Sequence, residues 1–487
     1  MKILLVNPPI YDKFDGIAGI VNYIRIPLGL LYIASMCEKN GHEVKILDIT
    51  DERIFRNIES EVEKFQPDLV GVSINFTCVY PISLEVILRI KKVYHGIMVV
   101  GGLHPSSAPI KTIKNEGIDV VVVGEGEHTM AEIASCIERE KNLKEVKGII
   151  FKKGKKIISN GPRSPVEDLD SLPYPARHLV DWKKYNITFS HFGKQYPVLE
   201  MLATRGCLFN CSFCSINNIA KGWRKRDPTK IIDEIEYCFD RYGKKAVEFE
   251  DAIFTGNRIF PESICNEILK RGLDFKWLAT GRVDVVSKDL INLMSEAGCV
   301  KMFFGLESGS QRILNEVVGK NITVEQSKKT LEWCINANIE PLFSFIIGHP
   351  TETKEDLKKT INLINFFFKE YGIISHVNIF RFFPNTRAEK ISGIDHDWLS
   401  KPKVADPFYW NIPVSTGESS LDKLIKIQNE AEELDYMKKF TPMVIFKGIK
   451  LAISSRNMCE LKRISNKGIK MLKNSINNNS TTTINYE

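Results

Sequence analysis

Residues 204–214 read TRGCLFNCSFC and crowd three cysteines, Cys207, Cys211 and Cys214, into eight positions. The apolar run at 198–204 predicts a buried strand, so the cysteines are expected in the loop that follows it. Three thiolates can bind three irons of a 4Fe-4S cluster and leave the fourth iron open to an outside ligand. A zinc site needs a fourth nearby ligand, and the next cysteine, Cys238, follows 24 residues later with no histidine between. The spacing therefore favours an open-iron cluster over a zinc site or a chance group of buried cysteines.

The sequence around this loop alternates apolar runs with amphipathic stretches. Strands are predicted at 198–204, 246–250, 276–280, 300–305, 341–348 and 377–382, with helices between them, for example at 230–242 and 287–297. Six βα units in 185 residues fit a partial (β/α)6 barrel better than a closed eightfold barrel. Catalytic groups are then expected at the carboxyl ends of the strands.

The first 146 residues show a second alternation of the same kind. Strands are predicted at 3–6, 43–47, 68–74, 98–100 and 119–123, with helices at 27–40, 83–94 and 107–116. This order predicts a doubly wound parallel sheet, whose ligands bind beyond the carboxyl ends of the strands. No Gly-x-Gly-x-x-Gly follows the first strand, so NAD is not expected. The residues at the strand ends are Asn7, Pro8 and Pro9; Ser73 and Asn75; Gly101, Gly102 and His104; and Gly124, Glu125 and Gly126.

The order of segments predicts an α/β protein with a helical C-terminal region. The two prolines of LPYP at 172–175 hold the preceding residues in an extended conformation. This predicts a linker between the two regions of alternating strands and helices. A polar Asn/Ser/Thr tail at the end of the chain is expected to be disordered. The predicted domains are 1–146, a linker at 147–196, the partial barrel at 197–400, a helical region at 401–473 and the tail at 474–487.

Length and composition indicate a globular protein of several domains. The 487 residues exceed one domain of ~100 to 200 residues. The 43% hydrophobic and 26% charged residues exclude a wholly disordered or collagen-like chain. No run of ~18 uncharged apolar residues occurs, and the first apolar run is too short for a signal peptide, so we expect a cytoplasmic protein. Eleven cysteines without an export signal then indicate reduced thiols.

The basic charge is concentrated at the C-terminus. From Met437 onward there are ten Lys or Arg and two Glu, a balance of +8 against +7 for the whole chain, so residues 1–436 sum to −1. The pattern fits a core-packing helix with a solvated face, or an amphipathic helix on an anionic lipid surface. We expect no nucleic-acid partner, and the second reading adds a peripheral membrane contact. Its apolar residues, set among lysines, are Phe440, Met443, Val444, Phe446, Ile449 and Leu451.

The Cys-x-x-x-Cys-x-x-Cys loop above a partial barrel resembles the radical S-adenosylmethionine (SAM) superfamily over residues 198–386. The resemblance implies that Cys207, Cys211 and Cys214 bind the 4Fe-4S cluster, while the amino and carboxylate groups of SAM occupy the open iron. It also implies SAM contacts from the cysteine loop and from the ends of the later strands. These residues are Phe213, Glu250, Asp251, Arg282, Glu307, Ser308 and Gly348.

The N-terminal motifs carry a second resemblance. A flavodoxin-like sheet with Asn-Pro-Pro, Gly-Gly-x-His-Pro and Gly-Glu-Gly-Glu at its strand ends is similar to the cobalamin-binding domain of B12-dependent radical SAM enzymes. This implies that the strand-end residues named above bind cobalamin. The Asp-x-His-x-x-Gly stretch that ligates cobalt in some cobalamin proteins is absent. His104 is therefore expected to contact the corrin or its tail rather than cobalt.

Together the two resemblances imply a methyltransferase. An electron from a donor such as ferredoxin or flavodoxin would cleave SAM to a 5′-deoxyadenosyl radical, which takes hydrogen from an unactivated carbon, and methylcobalamin would supply the methyl group. A cyclase that forms a C–C bond without net methylation, and a non-catalytic cobalamin sensor, are alternatives. A methylthiotransferase is a further one, but Cys37, Cys78 and Cys136 are not grouped at strand ends for a second cluster. A lipid-like compound or a natural-product precursor is the expected substrate.

Overall fold

The computed structural model describes residues 1–9, 25–50, 52–185, 187–191, 194–392 and 419–439. The predicted amphipathic segment from Phe440, the polar tail and most of the region from 401 lie outside the described residues. The chain divides into two compact units. The first comprises Met1–Phe303, Lys328–Glu340 and Arg381–Val414, and the second Phe304–Ser327, Pro341–Phe380 and Ser415–Glu487.

A seven-stranded sheet occupies the N-terminal part of the first unit. Its order is β2-β1-β3-β4-β5-β6-β7. The first five strands in the chain pair in parallel, as predicted for a doubly wound sheet. The strands are β1 (Lys2–Asn7), β2 (Glu43–Asp48), β3 (Leu69–Ser73), β4 (Ile97–Gly101), β5 (Val120–Val122), β6 (Ile149–Lys153) and β7 (Lys156–Ser159).

Residues 149–159, which the sequence placed in a linker, instead form the antiparallel hairpin β6–β7 on the edge of β5. The turn, Gly154 and Lys155, lies within the stretch KKGKK at 152–156, and such a charged stretch resembles a surface loop when it is read alone. The pairing partner, β5, lies about 30 residues earlier in the chain. The hairpin therefore depends on a contact that local sequence does not encode.

Helices cover both faces of this sheet, as expected for strands that are apolar on both sides. On one face Leu4 and Val70 pack with the helices α3, α4 and α6. On the other face Ile3 and Leu5 pack with α1 and α7. The helices are α1 (Leu28–Lys39), α2 (Glu52–Arg56), α3 (Ile58–Phe65), α4 (Tyr80–Lys91), α5 (Leu103–Ser107), α6 (Pro109–Lys114) and α7 (Glu127–Glu138).

The later strands form a second sheet in the order β16-β15-β14-β13-β12-β9-β8, with β10 and β11 as a separate two-stranded ribbon. The order is open at β16 and β8, which confirms an incomplete barrel. The hairpin of β8 with β9 was not predicted. The strands are β8 (Thr188–His191), β9 (Lys194–Met201), β10 (Thr204–Arg205), β11 (Arg224–Lys225), β12 (Ala246–Phe249), β13 (Lys276–Gly281), β14 (Cys299–Glu307), β15 (Glu340–Ile347) and β16 (Ser375–Ile379).

Helices alternate with these strands, as predicted. None of the helices in the described ranges has the length and apolar character needed to cross a membrane. A π-helical turn, Ile313–Val318, follows β14. The helices are α8 (Pro228–Tyr242), α9 (Ile259–Lys270), α10 (Lys288–Glu296), α11 (Val324–Asn336), α12 (Lys354–Tyr371), α13 (Arg387–Ser392) and α14 (Leu421–Lys439).

Helix α8 is fixed at its start and at its buried face. The Asp227 side chain caps the first turn by accepting hydrogen bonds from two backbone amides. The carboxylate of Glu234, which is fully buried, accepts hydrogen bonds from Arg177 and from Arg226, the latter at 2.6 Å. Because Arg177 follows the extended LPYP segment, this ion-pair network fastens that segment to the barrel helix.

Candidate functional site

The three cysteines lie on residues 206–223, here called the cluster loop, which connects β10 to β11. The loop closes where Arg205 pairs with Arg224 across the antiparallel ribbon. Just inside this pair, Gly206 has a φ of 78°, and a Cβ atom there would lie 1.7 Å from the carbonyl oxygen of Gly222. Only glycine allows the two chain segments to cross so closely.

Backbone hydrogen bonds fold the interior of the cluster loop. The amide of Phe209 donates to Cys207 Sγ at 3.5 Å, and the amide of Cys214 donates to the Cys211 carbonyl at 3.1 Å. The Asn217 side chain donates to the carbonyl of Phe209 at 3.1 Å. Cys207 and Cys211 are half-buried and Cys214 is exposed.

The donor chemistry of the cluster loop fits an iron–sulfur cluster. Within the described ranges, no three His, Cys, Asp or Glu side chains converge so that they could hold one metal ion. Three thiols spread along one loop, with a backbone amide donated to a sulfur, are the donor set of an iron–sulfur cluster. The half-buried Phe213 lies beside Cys214 in this loop.

Two carboxylates follow β12 and were predicted to contact SAM. Asp251 is buried, and its Oδ1 accepts hydrogen bonds from the amides of Ala203 and Thr204, both at 2.9 Å. Burial raises the pKa of Asp251 to about 7, although these two amides lower it. Asp251 thus fixes the strand end directly before the cluster loop. Its Oδ2 has no hydrogen-bond partner in the part of the chain that the structure describes.

Glu250 belongs to a group of acids around one guanidinium. Arg25, which precedes α1, donates to Glu250, to Glu200 at 2.9 Å and to Glu248 at 3.0 Å. Burial and the neighbouring Glu248 raise the pKa of Glu250 to about 8, and Arg25 opposes this rise. No role was predicted for Arg25, because its partners lie about 175 or more positions away in the chain.

Arg282, at the end of β13, reaches the cluster loop. Its guanidinium lies 3.5 Å from the centroid of the Phe209 ring. The same guanidinium donates two hydrogen bonds to Asp284, at 2.9 and 2.8 Å. Arg282 therefore orders the loop beside Cys207 through a cation–π contact, and its role toward a SAM carboxylate stays a prediction.

The remaining predicted SAM residues belong to the second unit. Glu307 ends β14 with a φ of 71° and forms a buried ion pair with Lys320 at 2.8 Å. The hydroxyls of Ser308 and Thr360 are 3.0 Å apart. These contacts fix the backbone after β14, and nothing in them tests the predicted SAM contacts.

Gly348 and its neighbours form a tight turn after β15. The amide of Gly348 donates to Glu352 Oε2 at 2.6 Å, and burial raises the pKa of Glu352 to about 8. His349 is buried against Phe380, and burial lowers the pKa of His349 to about 4. The imidazole is therefore neutral at physiological pH and packs inside the unit.

A cavity of about 250 Å³ opens at the carboxyl ends of the first sheet. It is bounded by strand-end residues of that sheet, by Thr204, Arg205 and Gly206 at the base of the cluster loop, and by Glu250. All of these residues belong to the first unit. Its interior is mostly apolar, with side chains from β1, α1 and α7. The predicted cobalamin residues in its wall are Ser73, Asn75, Gly101, Gly102, Gly124, Glu125 and Gly126.

These walls fit part of a cobalamin. Gly102 has a φ of 109°, and a Cβ atom there would lie 2.8 Å from the carbonyl oxygen of Ile74, so the backbone itself forms the wall. A volume of 250 Å³ is below the ~300–1,000 Å³ of typical small-molecule sites. The cavity would therefore take a portion of so large a cofactor, with an apolar interior to receive a ring.

Four of the predicted cobalamin residues do not line this cavity. Asn7 donates to Asp48 at 2.8 Å and so joins the ends of β1 and β2, while Pro8 and Pro9 are buried beside it. His104 is buried, its ring centroid 4.1 Å from that of Tyr80. Burial lowers the pKa of His104 to about 3, so its imidazole is neutral.

The structure also gives the wall two charged residues without a predicted role, Arg205 and Glu127. Glu125 accepts hydrogen bonds from Arg205 at 3.1 Å and from Arg224 at 2.8 Å. Glu127 accepts a second one from Arg205 at 2.6 Å. Arg205 and Glu127 stand inside the quoted motifs TRGC and GEGE, and a charged residue fixed within a glycine motif was the signal that could have identified them.

Comparison with known proteins matches both parts of the chain. Residues 16–134 match the B12 binding domain family, and residues 201–364 match the radical SAM superfamily. The uncharacterized methyltransferase PH0819 of Pyrococcus horikoshii is 35% identical over 74% of this chain and 77% of its own length. The anaerobic magnesium-protoporphyrin IX monomethyl ester cyclase of Cereibacter sphaeroides is 29% identical over 74% of this chain and 59% of its own length. Among solved structures, the cobalamin-dependent SAM radical enzyme OxsB with aqua-cobalamin bound is similar in fold, with a TM-score of 0.71 at 19% identity, covering 96% of this chain and 71% of OxsB.

Proposed function

The chain belongs to the cobalamin-dependent radical SAM family, and we propose that it is a methyltransferase acting on an unactivated carbon. The cofactors that this function requires are a 4Fe-4S cluster, SAM and cobalamin. The methyltransferase name of the Pyrococcus relative supports methyl transfer as the outcome.

One observation carries the proposal. The cavity at the strand ends is bounded on one side by Gly101, Gly102 and Gly124 and on another by Thr204 and Gly206. A group held by the glycine motifs therefore lies directly against the base of the cluster loop. Methyl transfer to a carbon radical needs this proximity, because the radical must meet the methyl donor before it meets solvent.

When bound, the cluster and SAM supply a carbon-centred radical by one-electron cleavage, and methylcobalamin supplies the methyl group. The residues of this chain position these groups. The Phe209 amide donates a hydrogen bond to Cys207 Sγ and would so influence the reduction potential of a bound cluster. Arg282 holds the Phe209 ring in place. The apolar interior of the cavity would limit the access of water to a group bound in it.

A cyclase is the second candidate, favoured by the relative from Cereibacter. A cyclase joins two carbons of one substrate and adds no methyl group. Isotope transfer distinguishes the two, because only a methyltransferase moves deuterium from methyl-labelled SAM into the product.

The reductant and the substrate are further parts of the proposal. A one-electron donor such as ferredoxin or flavodoxin would reduce the cluster, and a lipid-like compound or a natural-product precursor would be methylated. A peripheral membrane contact would depend on the basic residues after Met437, and those beyond Lys439 lie outside the described residues. Sedimentation of the full chain with anionic and with neutral vesicles tests that contact.

The test of function uses anaerobically reconstituted full-length protein with dithionite, cobalamin and methyl-deuterated SAM. We expect 5′-deoxyadenosine and deuterated methylcobalamin. With extract from a deletion strain as the source of substrate, we also expect a methylated product that carries three deuterium atoms and is therefore three mass units heavier than its unlabelled form. C207A, which lacks one of the three predicted cluster ligands, should form neither 5′-deoxyadenosine nor the methylated product. C136A removes a half-buried thiol on α7 and should match the unchanged protein.

The outcome also separates the other classes. Absence of 5′-deoxyadenosine from a cluster-loaded protein would refute the radical mechanism. One cluster per chain is expected for the methyltransferase, two for a methylthiotransferase and none for a cobalamin sensor. A product without deuterium, accompanied by 5′-deoxyadenosine, would favour the cyclase.

A further inference from the structure

The base of the cluster loop carries two like charges that oppose each other. Arg205 and Arg224 are direct partners across the ribbon of β10 and β11. Like charges in such a position destabilise a strand pair, and this ribbon has only two residue pairs to hold it. Closure of the loop therefore requires an anion at this point.

Glu125 supplies this anion from the other side of the cavity. Its Oε1 accepts from Arg205 at 3.1 Å, and its Oε2 accepts from Arg224 at 2.8 Å. The three side chains are between 8% and 12% exposed. Both oxygens of Glu125 are thus used inside the protein, where a neutral side chain would leave Arg224 without this acid directly across the ribbon from Arg205.

Glu127, two residues further on and the first residue of α7, continues the same connection. Its Oε1 accepts from Arg205 at 2.6 Å, so the Arg205 guanidinium spans both acids of the segment 125–127. This segment is also a wall of the cavity. A ligand that shifts the wall therefore shifts the acceptors of Arg205, which directly precedes Gly206 and Cys207.

We propose that Glu125 is a positioning residue that couples occupancy of the strand-end cavity to the geometry of the cluster loop. The inference rests on the proposed function in that the cavity receives cobalamin and the loop receives the cluster. Coupling between two binding events is reciprocal, so cluster assembly must strengthen cobalamin binding by the same factor by which cobalamin strengthens cluster binding.

The experiment measures this factor in the full-length chain. Aquacobalamin is titrated by absorbance into anaerobic protein with the cluster assembled and into the same protein after iron removal. We expect binding to the cluster-loaded form to be tighter by about tenfold, within the range of known couplings. In E125Q the ratio should fall to about one. The electron paramagnetic resonance spectrum of the reduced cluster should respond to aquacobalamin in the unchanged protein and not in E125Q.

Two further variants control the experiment. E59Q neutralises another acid that binds an arginine, Arg89, on helices of the same unit, and it should keep the full ratio. The double variant E125Q/R224Q removes the acid together with one of its arginines and leaves no unpaired charge at that pair. It should fold even where E125Q does not, and it should also lack the coupling.

Each result decides the matter. Equal affinity of the two forms of the unchanged protein, or an unchanged ratio in E125Q and in the double variant, would overturn the coupling. Equal weakening of both forms in E125Q with the ratio preserved would identify Glu125 as a cobalamin contact and overturn it as well. Coupled binding without methyl transfer would leave the inference standing and refute the proposed function, whereas no binding of cobalamin would refute both.

Discussion

Replacing Gly206 by alanine is expected to open the cluster loop. The residue has a φ of 78°, which costs an alanine roughly 1–2 kcal/mol. The new Cβ atom would lie 1.7 Å from the Gly222 carbonyl oxygen, whereas nonbonded carbon and oxygen atoms stay about 3.3 Å apart. The two backbone segments must therefore separate, and overpacking of this kind costs a further 1–3 kcal/mol, approximately. A total of about 2–5 kcal/mol exceeds what a two-pair ribbon, which is marginally stable, can retain.

The assay is the iron content of anaerobically reconstituted G206A, with the spectrum of its reduced cluster and its thermal unfolding. We expect less than a tenth of the iron of the unchanged protein, because a 1.4 kcal/mol loss already lowers binding tenfold. G222A is the matched control. Gly222 lies in the same loop with a φ of 68°, but a Cβ atom there meets nothing within 4 Å. G222A should lose about 1 kcal/mol of the free energy of unfolding and keep its cluster.

Full iron content and an unchanged spectrum in G206A would refute this reasoning, because the cluster loop would then not need the close approach of Gly206 to Gly222 in order to bind the cluster. Equal loss of iron in both variants would assign the effect to the positive φ and not to the crossing.

Three other predictions concern different parts of the molecule. G102A should weaken aquacobalamin binding at least tenfold in an absorbance titration, since its Cβ atom would lie 2.8 Å from the Ile74 carbonyl, while the circular dichroism spectrum stays native. E234Q should destabilise the protein by about 3–5 kcal/mol in chemical denaturation, because it leaves two buried arginines without their carboxylate. E352Q tests a pH dependence. With a folded pKa of about 8 against 4.5 unfolded, the folded state keeps the Glu352 proton longer, so this group stabilises the fold at low pH and loses that contribution as the pH rises toward 8. Relative to E352Q, the unchanged protein should lose up to about 1.4 kcal/mol per pH unit in that window, and parallel stability curves would contradict the assignment.

Much of the fold follows from patterns that are local in the chain. Five parallel strands of the first sheet and the strands of the partial barrel were predictable, because each is a short apolar run bounded by turn residues. The glycines at the strand ends were predictable as cavity walls for a similar reason. Close approach of a ligand to backbone requires residues such as Gly101 and Gly102.

The parts that escaped prediction depend on distant partners. The contact of Glu125 with cobalamin stays a prediction, whereas its hydrogen bonds from Arg205 and Arg224, which lie 80 and 99 positions away, were not predicted. His104 follows a glycine turn, yet its ring is buried against Tyr80 and lies away from the cavity. Sequence patterns predict which residues stand at a strand end, and tertiary packing decides which way each side chain turns.

The hairpin of β6 and β7 has a consequence for solubility. Without it, the short apolar strand β5 would be the edge strand of the first sheet, and its unpaired amides and carbonyls could pair with a strand of another molecule. The hairpin makes β7 the edge strand instead. The positions in and around its turn are lysines, Lys152, Lys153, Lys155 and Lys156. Repulsion between these lysines on two approaching molecules opposes aggregation, and deletion of residues 149–159 should increase the aggregated fraction measured by light scattering.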